Sequence, residues 1–113
     1  MNFARNITIE NVNINLISSK DVSAIIITGE SFDNLINNNT INMKGSASLT
    51  GITIYNYYDG YYGLSPKNNI ISNNNIIIDS TRDVIGIYVA MADNTIIMDN
   101  NIKLTAGNIA YGV

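Results

Sequence analysis

The chain repeats itself, and that repetition limits what it can fold into more than any other feature. The segments Ile36-Asn37-Asn38-Asn39-Thr40-Ile41-Asn42-Met43, Ile71-Ser72-Asn73-Asn74-Asn75-Ile76-Ile77-Ile78 and Ile97-Met98-Asp99-Asn100-Asn101-Ile102-Lys103-Leu104 superpose without gaps. Eleven residues beyond Ile41, Ile76 and Ile102 stand Ile52, Ile87 and Val113, each preceded by a glycine: Gly51, Gly86 and Gly112. A fourth, weaker copy reads from Ile7 to Ile14, and its distal part, Ala24-Ile25-Ile26-Ile27, comes two residues later than in the others. In this frame the copies start 29, 35 and 26 residues apart. A constant frame with variable spacing belongs to stacked units whose loops differ at one corner.

The units are strands. Ile, Val, Thr, Asn and Tyr dominate, whereas the residues that fill good helices are scarce. Short alternating runs recur at Ile7-Thr8-Ile9, Val12-Asn13-Ile14, Ile25-Ile26-Ile27, Ile41-Asn42-Met43, Ile52-Thr53-Ile54, Ile76-Ile77-Ile78, Ile87-Tyr88-Val89 and Ile102-Lys103-Leu104. Between them lie Asn, Asp, Ser and Gly, which accept left-handed backbone or hydrogen-bond locally in turns. A hexapeptide-based solenoid would hold one strict period, and propeller blades need about 40 residues each. An irregular period of about 30 residues fits neither. The expectation is therefore an all-β, right-handed parallel β-helix of about four coils, with one strand chain winding as a single solenoid. Ile41, Ile76 and Ile102 would point inward together with Met43, Ile78 and Leu104, stacked at the ~4.8 Å strand spacing. Asn42, Ile77 and Lys103 would point outward.

Composition fits this arrangement. The chain has 113 residues, room for one domain spanning 1–113, and 22 Ile and 20 Asn supply an unusual share of them. Asn39, Asn74 and Asn100, with Glu10 in the fourth copy, occupy one column of the frame; Asn11, Thr40, Asn75 and Asn101 occupy the next. Each amide has donor and acceptor faces and can bridge to the coil above and below.

Several functions are disfavoured. Charged residues make up 13% and the net charge is −3, with no basic run, so nucleic-acid binding through a basic face is not expected. The absence of His and Cys removes thiol nucleophiles, His-based triads, disulfide frameworks and ordinary zinc sites. No metal or cofactor site is expected. The longest nearly apolar run, residues 84–92, is about half of what a membrane-spanning helix needs, and Met1-Asn2-Phe3-Ala4-Arg5-Asn6 has no apolar stretch behind a basic start of the kind an export signal shows. Any export signal and anchor would lie in another part of a longer parent chain.

The segments Asn69-Ile70-Ile71-Ser72-Asn73-Asn74-Asn75-Ile76 followed by Gly86-Ile87-Tyr88-Val89, and Asp93-Asn94-Thr95-Ile96 through Asn101-Ile102 to Gly112-Val113, resemble the pectate-lyase-like right-handed β-helix repeat. More narrowly, the chain resembles the Asn/Thr-rich adhesin-like surface proteins of methanogenic archaea. The resemblance implies a cell-surface, extracellular location and a structural or adhesive role rather than an enzymatic one. It also implies adjoining β-helix repeats in a parent chain, with surface glycans or cell-surface proteins as partners. Family polygalacturonases combine Asp carboxylates with a His that this chain lacks. Pectate lyases use calcium-binding Asp residues and a basic residue, for which Arg82 beside Asp79 and Asp83, or Lys103 near Asp99, are the only candidates. Those groups fall where a solenoid places solvated corners, so no catalytic residue is assigned. The alternative reading is a piece of a polysaccharide-acting β-helix enzyme, a lyase or phage-type depolymerase, with its active site elsewhere; a third is an intracellular self-assembly module.

One insertion stands out as a binding candidate. Tyr55, Tyr57, Tyr58, Tyr61 and Tyr62 are five of the seven tyrosines and fall within the longest coil. Tyrosine offers a flat apolar face with a polar tip, suited to stacking on sugars or protein partners. Asn6-Ile7-Thr8 and Asn38-Asn39-Thr40 match the permissive N-glycosylation sequon. The stop at Tyr111-Gly112-Val113, without a polar cap, reads as an uncapped internal fragment.

Overall fold

The structure is a computed structural model and describes residues 1–56 and 65–113. Each coil contributes three strands. The first has β1 Thr8–Glu10, β2 Asn13–Ser18 and β3 Val22–Thr28; the second has β4 Leu35–Asn37, β5 Thr40–Gly45 and β6 Leu49–Tyr55. The third has β7 Ile70–Ser72, β8 Asn75–Ser80 and β9 Val84–Ala90, and the fourth β10 Ile96–Met98, β11 Asn101–Ala106 and β12 Ala110–Tyr111. Corresponding strands pair in parallel into three four-stranded sheets, ordered β1-β4-β7-β10, β2-β5-β8-β11 and β3-β6-β9-β12. This is a parallel β-helix of four coils. Its extents of 36 × 32 × 18 Å make it a flat prism, wider than its stack is high.

The register places the expected residues over one another. Ile14, Ile41, Ile76 and Ile102 form one column, and Leu16, Met43, Ile78 and Leu104 the next. Ile25, Ile52 and Ile87 form a third on the long-strand sheet. Ile41, Ile52, Ile76 and Ile87 are fully buried, whereas Ile14 and Ile102, at the two ends of the stack, are only partly covered. Each fully buried isoleucine contributes roughly 1.5–3 kcal/mol relative to an exposed one, so the two middle coils hold most of the hydrophobic stabilisation.

One expectation is corrected. The first copy begins at Ile9, which pairs with Ile36, and not at Ile7. The coil steps are therefore 27, 35 and 26 residues, read from Ile9, Ile36, Ile71 and Ile97. Ile7-Thr8-Ile9 alternates equally well in either frame, so the strand pattern could not choose; the corner geometry does. With the shift, Ile25 lies eleven residues after Ile14, and the two-residue lag of the first copy disappears. The second step exceeds the first by 35 − 27 = 8 residues. Thr28 pairs with Tyr55 but Phe32 with Lys67, so the extra residues enter between Tyr55 and Lys67.

Candidate functional site

The corners explain the asparagines. Two corners of every coil carry a residue with left-handed backbone: Asn6, Asp33, Asn68 and Asn94 at one, Asn11, Asn38, Asn73 and Asp99 at the other, with φ between 49° and 58°. Asn and Asp are the non-glycine residues that enter this region most readily, which is why the corners are built from them. The residue that follows each of these turns its side chain to the interior. Asn34 and Asn69 form one buried column and Asn39 and Asn74 the other, the latter continued by Asn100.

Hydrogen bonding in the second column is directional, and at Asn74 every polar group of the side chain is engaged. Asn74 Oδ1 accepts the backbone N–H and the side-chain N–H of Asn39, both at 3.0 Å. Asn74 Nδ2 donates to the Ile36 carbonyl at 3.0 Å and to Asn100 Oδ1 at 2.9 Å. The carboxamide-to-carboxamide bonds therefore all run one way, each Oδ1 accepting from the coil before it, while the other amide N–H of each asparagine turns back to a carbonyl of the preceding coil, as from Asn39 to Ile9 and from Asn100 to Ile71. The first coil lacks an amide in either column: Ile7 and Val12 stand there and supply only backbone N–H groups, to Asn34 and Asn39 Oδ1 at 3.0 Å. Glu10, expected in this column, instead lies in β1 and accepts from Asn37 at the surface. The Asn34 column was not anticipated. Its signal was a repeat of five within each coil, Asn34 to Asn39, Asn69 to Asn74 and Thr95 to Asn100. Outside the prism a second, exposed set of amides bridges the coils, as from Asn38 to Asn11 at 2.6 Å and from Asn101 to Asn75 at 2.9 Å.

The glycine column has a steric cause. Strand alternation slips at Gly51 and Gly86: each glycine and the isoleucine after it are both buried. A Cβ on Gly51 would lie 2.5 Å from the Gly86 carbonyl oxygen and 2.8 Å from Ile76 Cγ2. A Cβ on Gly86 would meet the Gly112 carbonyl oxygen at 2.5 Å and Ile102 Cγ2 at 2.6 Å. Backbone of the next coil occupies the space a side chain would need. Gly112 has no such neighbour within 4 Å.

Of the binding candidates, Tyr55 is described: it ends β6, partly exposed, paired in register with Thr28 and Ala90. Tyr57, Tyr58, Tyr61 and Tyr62 lie outside the described residues. Two tyrosines that the sequence reading left aside share Tyr55's sheet. Tyr88 is 45% exposed, in the row of Ile26 and Thr53, and Tyr111 is 56% exposed, in the row of Thr50 and Ile85. Strand parity counted from the buried Ile87 would have pointed Tyr88 outward, so the signal existed.

The charged candidates do not converge on one another. Asp79 and Arg82 are exposed; Asp79 lies beside Lys44 in the register, and Asp83 accepts the Ile109 N–H at 3.3 Å, a corner role that Asp21 repeats with Ser48 at 3.0 Å. Asp99 is an exposed left-handed corner and Lys103 points outward from β11. Lys67 pairs with Asp93 at 3.5 Å, while Arg5 pairs with Glu30 at 3.8 Å and lies over the Phe32 ring, 5.0 Å from its centroid. Among the described residues no group of three or more Asp and Glu side chains is placed to hold a metal ion. Asn6 and Asn38, the sequon asparagines, are exposed corner residues outside the buried columns, and Asn38 donates to Asn11.

No protein-family model matches the chain, and neither curated proteins nor solved structures give a match.

Proposed function

We propose that the chain is a non-catalytic, structural and adhesive solenoid segment of a cell-surface protein, displayed outside the cell, that contacts glycans or protein partners through its tyrosine-bearing side. The observation that carries this reading is the gathering of Tyr55, Tyr88 and Tyr111 on one sheet of the prism. The tyrosine-rich insertion leaves the chain directly after that sheet's strand β6. Aromatic rings held on a rigid parallel sheet lose little conformational freedom on binding, and each presents a face for stacking and a hydroxyl for hydrogen bonding. The rest of the molecule serves as support: its buried asparagines are spent on coil-to-coil bonds, and its charges are spread over corners and outward strand positions.

A glycan-array and surface-protein binding screen tests the reading. The chain should give a signal that falls at least tenfold when Tyr57, Tyr58, Tyr61 and Tyr62 are replaced by alanine, and further when Tyr88→Ala is added. An unchanged signal in the substituted chain, or none in the parent, removes the tyrosine side as the contact surface. Cleavage of any arrayed polysaccharide would instead support the lyase or depolymerase alternative.

A further inference from the structure

The sheet β1-β4-β7-β10 carries an apolar strip on its outer face. Leu35, Ile70 and Ile96 lie in register there, alternating with the inward Ile36, Ile71 and Ile97. Leu35 and Ile70 are partly buried and Ile96 is exposed. Beside the strip runs the corner row Asp33, Asn68 and Asn94, all three exposed. That row is a ladder: Asn68 Nδ2 donates to Asp33 Oδ1 at 3.1 Å, and Asn94 Nδ2 donates to Asn68 Oδ1 at 3.4 Å. One N–H of each carboxamide and one oxygen of the Asp33 carboxylate are left over, with no partner among the described residues. Strip and ladder enclose an open trough of about 410 Å³ on the flank of the stack. Its floor is aliphatic, and its rim both donates and accepts. On the far side of the strip the polar groups are spent on one another: Asn37 donates to Glu10 at 2.6 Å and accepts from Ser72 at 2.9 Å and Asn73 at 3.0 Å.

We infer that this trough binds a neutral, unbranched glycan of hexose rings joined through equatorial bonds, extended along the solenoid axis. The size of the face decides against a globular partner. Three-residue strands at ~3.3 Å per residue on a stack 18 Å high offer roughly 180 Å². A specific protein contact takes about 800 Å² from each partner, and the same shortfall holds for a second copy of this chain. The period decides against an extended peptide, whose side chains on one face recur every ~6.6 Å, out of step with coils ~4.8 Å apart. A pyranose linked through opposite corners advances by one ring length per residue, close to one coil. Each ring sets its C–H face on one of Leu35, Ile70 and Ile96 and turns its hydroxyls to the adjacent carboxamide or carboxylate. Charge selects among glycans: the Asp33 carboxylate is the only ionised group lining the trough, and it repels uronic acids. The trough and the tyrosines lie on different sheets, so the inference does not depend on what the tyrosine side binds.

The probes are cellohexaose and the β-mannan and chitin hexamers, titrated into the full chain by calorimetry, with the carboxamide resonances of Asn68 and Asn94 followed by NMR. At least one hexamer should bind saturably and shift both resonances, and a polygalacturonate hexamer should bind at least tenfold more weakly. Asn68→Gly removes the central carboxamide at a left-handed position that suits glycine, and Ile70→Thr takes the aliphatic floor from the same coil. Each should weaken binding at least fivefold, while Tyr88→Ala leaves it unchanged. No saturable binding of any of the three neutral hexamers, binding untouched by both trough substitutions, or tighter binding of the acidic hexamer overturns the inference. Binding lost in Tyr88→Ala and kept in both trough variants also overturns it, and leaves the tyrosine side as the glycan surface. Should circular dichroism show Asn68→Gly unfolded, Ile70→Thr alone carries the same comparison.

Discussion

Thr95 stands where the Asn34 and Asn69 column calls for a third asparagine, and its hydroxyl is buried without a hydrogen-bond partner. Above it, Asn69 Nδ2 reaches the Ser31 carbonyl at 3.2 Å, but its other N–H meets no carboxamide below. A hydroxyl on a β-branched side chain is shorter than a carboxamide by one bonded group, and cannot span the coil gap. Thr95→Asn should complete the column, accepting from Asn69 as Asn100 accepts from Asn74. We expect it to stabilise the fold by about 1 kcal/mol, the net value of a newly satisfied buried hydrogen bond, read as a rise in the denaturant midpoint. A lower midpoint would mean that the columns are not the buried polar framework described. At this scale the sequence was half legible. Asn-Asn and Asp-Asn pairs such as Asn38-Asn39, Asn73-Asn74 and Asp33-Asn34 could be read as turns, but not divided into an outer left-handed residue and an inner amide. That division depends on backbone φ, and a composition bias does not encode it.

Among the elements, the long strands of the third sheet show how local sequence and stacking agree. β6 and β9 each contain one glycine, and the recurrence of Gly51 and Gly86 ten residues beyond Ile41 and Ile76 was visible from the start. Its reason was not: the clash is with a carbonyl of the following coil, a contact of long sequence separation. Gly86→Ala should therefore destabilise by about 3 kcal/mol or more, because backbone and packed Ile102 must both shift. Gly112→Ala, at the same column with open space around it, should change stability by less than about 0.5 kcal/mol. Chemical denaturation of the two variants side by side checks the contrast, and equal effects would contradict the steric account. The first copy shows the converse limit. Ile7-Thr8-Ile9 is ambiguous by two residues because period-two alternation is unchanged by such a shift. The tyrosine cluster was plain in the sequence, whereas Tyr88 and Tyr111 fall on the same sheet as Tyr55 only when the coils are stacked.

For the molecule as a whole, stability is a sum over neighbouring coils, and four coils leave two of them half-covered. The isoleucine columns were the most legible part of the fold, since inward side chains recur at each turn whatever the loop between them does. The direction of the amide columns was the least legible, as it needs both ends of every hydrogen bond. The central claim is that equivalent residues of successive coils lie directly over one another. Methyl–methyl nuclear Overhauser contacts in the chain labelled at isoleucine test it most directly. Strands ~4.8 Å apart predict cross-peaks linking Ile41 to Ile76 and Ile76 to Ile102, with none between Ile41 and Ile102, two steps away. Missing Ile41–Ile76 and Ile76–Ile102 cross-peaks, or close Hα–Hα contacts of antiparallel strands in their place, would contradict the stacked coil.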